Sequence, residues 1–70
     1  MAEWRAAKAG HVLRALLRVG WSVQRRKGSH VRLAREGWRP VTFAFHDAEE
    51  IGPVMLRRIS KETGLRPEDL

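Results

Sequence analysis

The residue best suited to chemistry in this chain is His30, which lies among side chains that can bind phosphate. An imidazole can take a proton from the 2′-hydroxyl of RNA near neutral pH, and the activated oxygen then attacks the adjacent phosphorus. Arginine or lysine stabilises the charge that develops on the phosphate oxygens. These residue types suit RNA cleavage without a metal ion and make His30 the candidate catalytic residue. The predicted RNA-binding residues around it are Arg25, Arg26, Lys27, Gly28, Ser29 and Arg32.

Two further residues, His46 and Gln24, are accessory candidates. The group that protonates the leaving oxygen stays open among His46, Lys27 and water. Each residue also has a simpler interpretation, because a lone strand histidine is usually solvent-exposed and His46 beside Asp47 suits a turn. The cationic run around Lys27 is, by composition alone, most often a solvated loop. His11, which has no partner in the sequence, is expected to be a surface residue.

Charge and composition favour a nucleic-acid partner. Fourteen Lys and Arg against eight Asp and Glu give a formal net charge of +6, and the pI is about 11.4. A domain this basic has the electrostatic footprint of a nucleic-acid binder, although the arginine content also fits a GC-rich genome. With 70 residues, the chain is predicted to form one domain, 1–70. Its thin core supplies about 3–5 kcal/mol of net stability unless a partner adds more.

The same sequence argues against several other classes of protein. It has no cysteine, no histidine spacing typical of a zinc motif and no glycine-lysine pattern of a P-loop. We therefore expect neither a cofactor nor a metal site. No apolar run approaches the ~20 residues of a membrane-spanning helix, and the first residues do not resemble a signal peptide. These features predict a cytoplasmic protein with no membrane partner.

The hydrophobic pattern predicts five elements. Apolar residues at helical spacing indicate a helix over residues 6–19, and period-two alternation over residues 21–45 indicates three antiparallel strands. A second helix is predicted over residues 52–63, and the tail after it is expected to fray. The order is therefore α-β-β-β-α, an α+β fold with a three-stranded antiparallel sheet. Both helices are expected to pack on the apolar face of the sheet and leave the other face open.

Loop lengths set the predicted register of the sheet, because a slip of one residue would place apolar side chains against polar ones. The predicted pairs are Val23–Val31 and Trp21–Leu33 across a loop at 26–28, and Val31–Phe43 and Leu33–Val41 across a loop at 36–38. In this register His30 lies opposite Ala44, with His46 as a diagonal neighbour about 7–8 Å away by Cα. The residues predicted on the open face are Ser22, Gln24, His30, Arg32, Thr42, Ala44 and His46.

Four segments of the chain resemble the HicA toxins of bacterial and archaeal toxin–antitoxin systems, over about residues 8–65. The most specific is the Gly-Ser-His element that ends at His30, at the head of the second strand. The glycine-tryptophan pair after the first helix supports it. The remaining two are a third strand ending in His46 and the stretch from Glu50 to Leu65.

The resemblance implies a double-stranded-RNA-binding-domain-like fold, metal-independent cleavage of mRNA dependent on His30, and a HicB-like antitoxin that covers the open face. The chain departs from the family at Ala44, where members usually carry proline, and at residues 54–56, where they usually read Gly-Thr-Leu. One alternative is a non-catalytic double-stranded-RNA-binding module, which would tolerate replacement of His30. Another is a relic that is retained for its complex with an antitoxin.

Overall fold

The computed structural model describes residues 3–46 and 48–70, so that Met1, Ala2 and the turn predicted at Asp47 lie outside the described residues. The elements, in chain order, are β1 (Ala7–Lys8), α1 (Ala9–Arg18), β2 (Ser22–Lys27), β3 (His30–Ala34), β4 (Val41–Ala44), β5 (Glu50–Ile51), α2 (Pro53–Thr63) and a 3-10 turn (Pro67–Asp69). Strands β2, β3 and β4 form one antiparallel sheet in that order. The predicted α+β fold, with two helices and a three-stranded antiparallel sheet, is confirmed.

One apolar core lies between the sheet and the two helices. The alternating residues Val31 and Leu33 of β3, and Phe43 of β4, point into it and are buried. Its buried members from the helices are Ala9, Val12, Leu13, Ala15 and Leu16 of α1 and Leu56 and Ile59 of α2. Both helices therefore cover the same face of the sheet, and the opposite face is left to solvent.

The first helix begins later than predicted, at Ala9 rather than at residue 6. Residues Ala7 and Lys8 are extended instead and pair with Ile51 and Glu50 in a second, two-stranded sheet. The backbone N–H of Ala9 also donates to the carbonyl of Glu49 at 2.8 Å. Strands of two residues have no measurable hydrophobic period, so the sequence gives no signal for this long-range pairing.

The first predicted hairpin is wrong in both its loop and its register. The loop contains two residues, Gly28 and Ser29, so that Lys27 pairs with His30 and the predicted pairs of Val23 with Val31 and of Trp21 with Leu33 do not form. Gly28 has φ +59°, and a glycine with positive φ at the first position of a two-residue loop is what a type II′ turn requires. Such a turn matches the right-handed twist of the flanking strands.

Arg25 lies opposite Arg32 in the register of this turn, and a β-bulge at Gln24 then shifts the register so that Val23 lies opposite Leu33. Val23 stays 44% exposed, because β2 is an edge strand and every one of its residues is exposed. The expectation that apolar pairing fixes this hairpin fails for that reason: the edge strand buries too little apolar surface to decide its register.

The second predicted hairpin has the correct register. Val31 pairs with Phe43, Leu33 pairs with Val41, and His30 lies opposite Ala44, as predicted. The connection spans residues 35–40 and is longer than the three-residue loop expected. Here the two apolar pairs face both helices, so burial determines the pairing.

Helix α2 closes the core and holds the last residues of the chain in place. Gly64 follows it with φ +74°, and the buried indole N–H of Trp21 donates to the carbonyl of Thr63 at 3.1 Å. Leu65 is fully buried, and Arg18 donates to the carbonyl of Asp69 at 2.8 Å. The prediction that the tail frays is therefore wrong, because the tail fills core space beside both helices.

Neither helix in the described part of the chain is long and apolar enough to cross a membrane.

Replacement of Gly64 by alanine should destabilise the fold more than the same change at Gly37. Both glycines have positive φ, which costs an alanine about 1–2 kcal/mol. A Cβ at Gly64 would lie 2.7 Å from the Trp38 ring, whereas a Cβ at Gly37 meets nothing within 4 Å. Urea unfolding of Gly64→Ala and Gly37→Ala measures the difference. Equal losses of unfolding free energy would contradict a packing role for Trp38.

Candidate nucleic-acid interface

His30 is the first residue of β3, the central strand of the sheet. The next residue, Val31, is fully buried, and alternation along the strand therefore sends the His30 side chain to the open face, where it is exposed. Its direct cross-strand neighbours are Lys27 on β2 and Ala44 on β4. Residues directly opposite one another share a face of the sheet, so the imidazole lies between an exposed ammonium group and a small side chain that leaves it accessible.

The second row of the open face is also cationic. Arg32 lies opposite Arg25 on β2 and Thr42 on β4, and all three side chains are exposed. The Arg32 Nε donates to the Gln24 Oε1 at 3.2 Å. This hydrogen bond orients the Arg32 guanidinium, although the guanidinium of Arg25 lies on the opposite strand position. Like charges directly opposite in a sheet are destabilising, so this row favours an anionic ligand that would bridge them.

The two rows contain no carboxylate. The side chains that the strand pairs place on this face are Ser22, Arg25, Lys27, His30, Arg32, Ala34, Thr42 and Ala44, and Gln24 reaches it through its hydrogen bond with Arg32. Three of them are basic and none is acidic. The two rows therefore present one imidazole beside three cations, a set that can hold a phosphodiester and accept a proton from a neighbouring hydroxyl.

The tight turn Gly28-Ser29, which precedes His30, is hydrogen-bonded to the residue that follows β4. The backbone N–H of Phe45 donates to the carbonyl of Ser29 at 2.7 Å, which continues the ladder beyond the strand end. His46 follows Phe45 and is exposed, at the same end of the sheet as His30. Its carbonyl accepts from the N–H of Glu49 at 2.7 Å.

Arg26 lies on the other side of the sheet from His30. It pairs with the buried Val31, and its side chain lines a groove against α1. The Arg26 Nε also donates to the carbonyl of Gly28 at 3.4 Å and supports the turn. The structure therefore brings Arg25, Lys27 and Arg32 of the predicted RNA-binding set to the His30 face and places Arg26 behind it.

Sequence reasoning did not find the cross-strand partnership of Arg25 with Arg32 or that of Lys27 with His30. The turn at Gly28-Ser29 produces both pairs, because counting back from Lys27 opposite His30 places Arg26 opposite Val31 and Arg25 opposite Arg32. Glycine at position 28 was the available signal for this turn, since a two-residue turn beginning there makes Lys27 and His30 the closing pair. The bulge at Gln24 acts only beyond Arg25, where it places Val23 opposite Leu33, and no glycine or proline marks it in the sequence.

The described part of the chain contains no cluster of metal ligands. Within residues 3–46 and 48–70, no group of three or more histidine, aspartate or glutamate side chains is placed to hold a metal ion.

Comparison with known proteins identifies the family. No curated protein sequence gives a significant match to the chain. The family model described as the HicA toxin of bacterial toxin–antitoxin systems matches residues 10–65, which include all of α1 except Ala9, the whole three-stranded sheet, α2 and the Gly-Ser-His element. The chain belongs to the HicA toxin family.

Proposed function

We propose that this chain is a metal-independent endoribonuclease that cleaves mRNA, with His30 as its catalytic residue. The observation that carries the proposal is the exposed imidazole of His30 directly opposite Lys27, with Arg25 and Arg32 in the next row of the same face. Family membership supports a toxin role, and the arrangement of the four side chains supplies a chemical means for it. Because mRNA is translated in the cytoplasm, the proposal implies that the chain acts there.

The proposed reaction begins with a phosphodiester held by the cations. A ring nitrogen of His30 takes the proton from the 2′-hydroxyl, and the 2′-oxygen attacks the adjacent phosphorus. The bond from phosphorus to the 5′-oxygen breaks, which leaves a 2′,3′-cyclic phosphate on one product and a 5′-oxygen that takes up a proton on the other. Lys27 and Arg32 stabilise the negative charge of the pentacoordinate phosphorus.

The proton for the leaving oxygen needs a second donor on the same face. His46 is suited to this role because it lies at the same end of the sheet and its imidazole is exposed. The tie between Phe45 and Ser29 keeps that end of β4 beside the turn that carries His30. Gln24 acts as a positioning residue, since it accepts a hydrogen bond from Arg32.

We further propose that a HicB-like antitoxin neutralises the chain by covering the open face. An exposed imidazole among cations cannot be silenced by burial within the toxin itself, because the core lies on the other side of the sheet. A partner with acidic groups would pair with Arg25, Lys27 and Arg32 and would exclude RNA from His30. The second candidate, a double-stranded-RNA-binding module, is favoured by the same charge but assigns no role to the imidazole.

Replacement of His30 by alanine should abolish toxicity and cleavage while the fold is retained. The side chain is exposed, so its loss removes the base without opening the core, and cleavage should slow by about 10²- to 10⁴-fold. Growth after induction, total mRNA on a gel and cleavage by the purified protein would be compared for the parent and His30→Ala. Val54→Ala, at a 78% exposed position of α2, is the control for an innocuous change.

Full toxicity of His30→Ala with normal mRNA loss would contradict the assignment of His30. If neither protein cleaves RNA and both bind it equally, the chain is a binding module.

Replacement of Arg32 by glutamine should lower kcat/KM for RNA by roughly 10- to 100-fold, because the guanidinium beside the imidazole stabilises charge in the transition state. Arg58→Gln on α2 removes the same charge at an exposed position outside this face. Steady-state cleavage of a short RNA by the two purified variants measures the difference. Equal losses in both variants would mean that Arg32 acts only through the net charge of the protein.

A further inference from the structure

A second cationic surface lies on the helix side of the sheet, behind the face that carries His30. A groove of about 430 Å³ runs between α1 and β2, and its polar lining comes from Lys8, His11, Arg14 and Arg26. Among residues 3–46 and 48–70, no carboxylate lines this groove. A cavity of this size is typical of sites that hold small ligands, so it can accept about one nucleotide of a single strand and not a duplex.

The groove continues into a larger cleft along α1. Lys8, His11 and Arg14 line both cavities, and Arg5 adds a further cation to the second one, which has a volume of about 830 Å³. The larger cleft also contains the carboxylates of Glu3 and Glu68, so the groove next to β2 is the more strongly cationic of the two. Its chemistry fits phosphate oxygens, which accept hydrogen bonds from arginine and lysine.

The exposed edge of β2 separates this groove from the His30 face. The strand ends the sheet on that side, and all six of its residues are exposed. Arg25 and Lys27 project to the open face, whereas Arg26 between them projects to the groove. Cations therefore lie on both sides of the strand edge, and their positive potential is continuous across it, so that a polyanion can bind across the edge.

We propose that the RNA strand crosses the outer edge of β2, so that the groove of Lys8, His11 and Arg14 binds backbone phosphates flanking the one held at His30. This inference rests on the proposed function for the direction of the path, because His30 defines where cleavage occurs. The groove therefore adds contacts to the RNA backbone outside the catalytic face. Cleavage would then need a single-stranded segment long enough to reach both surfaces.

A second copy of the chain is a poorer occupant of the β2 edge. Antiparallel pairing of two such strands would bring the cationic run of one against that of the other, and like charges opposite one another are destabilising. The bulge at Gln24 also interrupts the edge that a pairing strand would need. A flexible phosphodiester backbone needs no ladder of hydrogen bonds and is attracted by the same charges.

Arg14 is the residue on which to test the groove. It is exposed, and its side chain makes no hydrogen bond or ion pair with other residues in the described ranges 3–46 and 48–70, so its replacement should not disturb the fold. Lys8 is less suitable, since its Nζ donates to the carbonyl of Ala48 at 3.2 Å. Arg58→Gln again provides the matched loss of one exposed charge, here at a position outside the groove.

The experiment measures binding of a fluorescein-labelled single-stranded RNA of 20 nucleotides by anisotropy, in the non-cleaving His30→Ala background. Adding Arg14→Gln should raise Kd by roughly fivefold and lower the slope of log K against log salt by about 0.7, the value for one lost phosphate contact on a single strand. Adding Arg58→Gln should leave the slope within error of that of the His30→Ala protein. Unfolding midpoints of the three proteins check that each is folded.

Equal changes in Kd and slope for the two arginine variants would overturn the groove, as would absence of RNA binding by every variant. A failure of the catalytic proposal gives a different result, because the parent with His30 intact would then cleave no RNA while Arg14→Gln still weakened binding. Conversely, a parent that cleaves RNA with binding insensitive to Arg14 would retain the proposed function and lose the groove.

Discussion

The alternation of buried and exposed side chains along β3 is the constraint on which the rest of the molecule depends. Val31 and Leu33 are fully buried between the helices, which forces His30 and Arg32 to the opposite face. The residues of the central strand that pack the sheet against α1 and α2 therefore also determine the direction of the His30 imidazole. A one-residue slip of β3 would bury the cations and expose the core, so the site exists only in this register.

The two edges of β3 differ in what determines their pairing. On the β4 side, Phe43 and Phe45 are buried and their rings meet edge to face at 5.7 Å, so burial defines the register. On the β2 side nothing comparable is buried, and the turn at Gly28 with the bulge at Gln24 sets the register instead. The edge that buries less apolar surface is the one that carries the cations, so a substitution among them costs the core little.

This difference explains what the sequence could and could not predict. The pattern of Val31, Leu33, Val41 and Phe43 was sufficient for the second hairpin, the helix side of the sheet and the exposure of His30. It was insufficient for β2, where turn geometry outweighed apolar pairing, and for the short pairing of Ala7 with Ile51. The candidate site was therefore correct in the position of His30 opposite Ala44 and incomplete in its cationic neighbours. The catalytic and RNA-binding roles themselves stay predictions.

The tryptophans have a consequence for how this molecule can be observed. Trp21 and Trp38 meet edge to face at 5.8 Å on the helix side, and Trp4 also packs against the core. None of these indoles shares a face with His30, so intrinsic fluorescence reports the docking of α2 and stays silent about occupancy of the open sheet. Tryptophan emission can therefore follow unfolding while a fluorescent label on an RNA follows occupancy of the open sheet in the same sample.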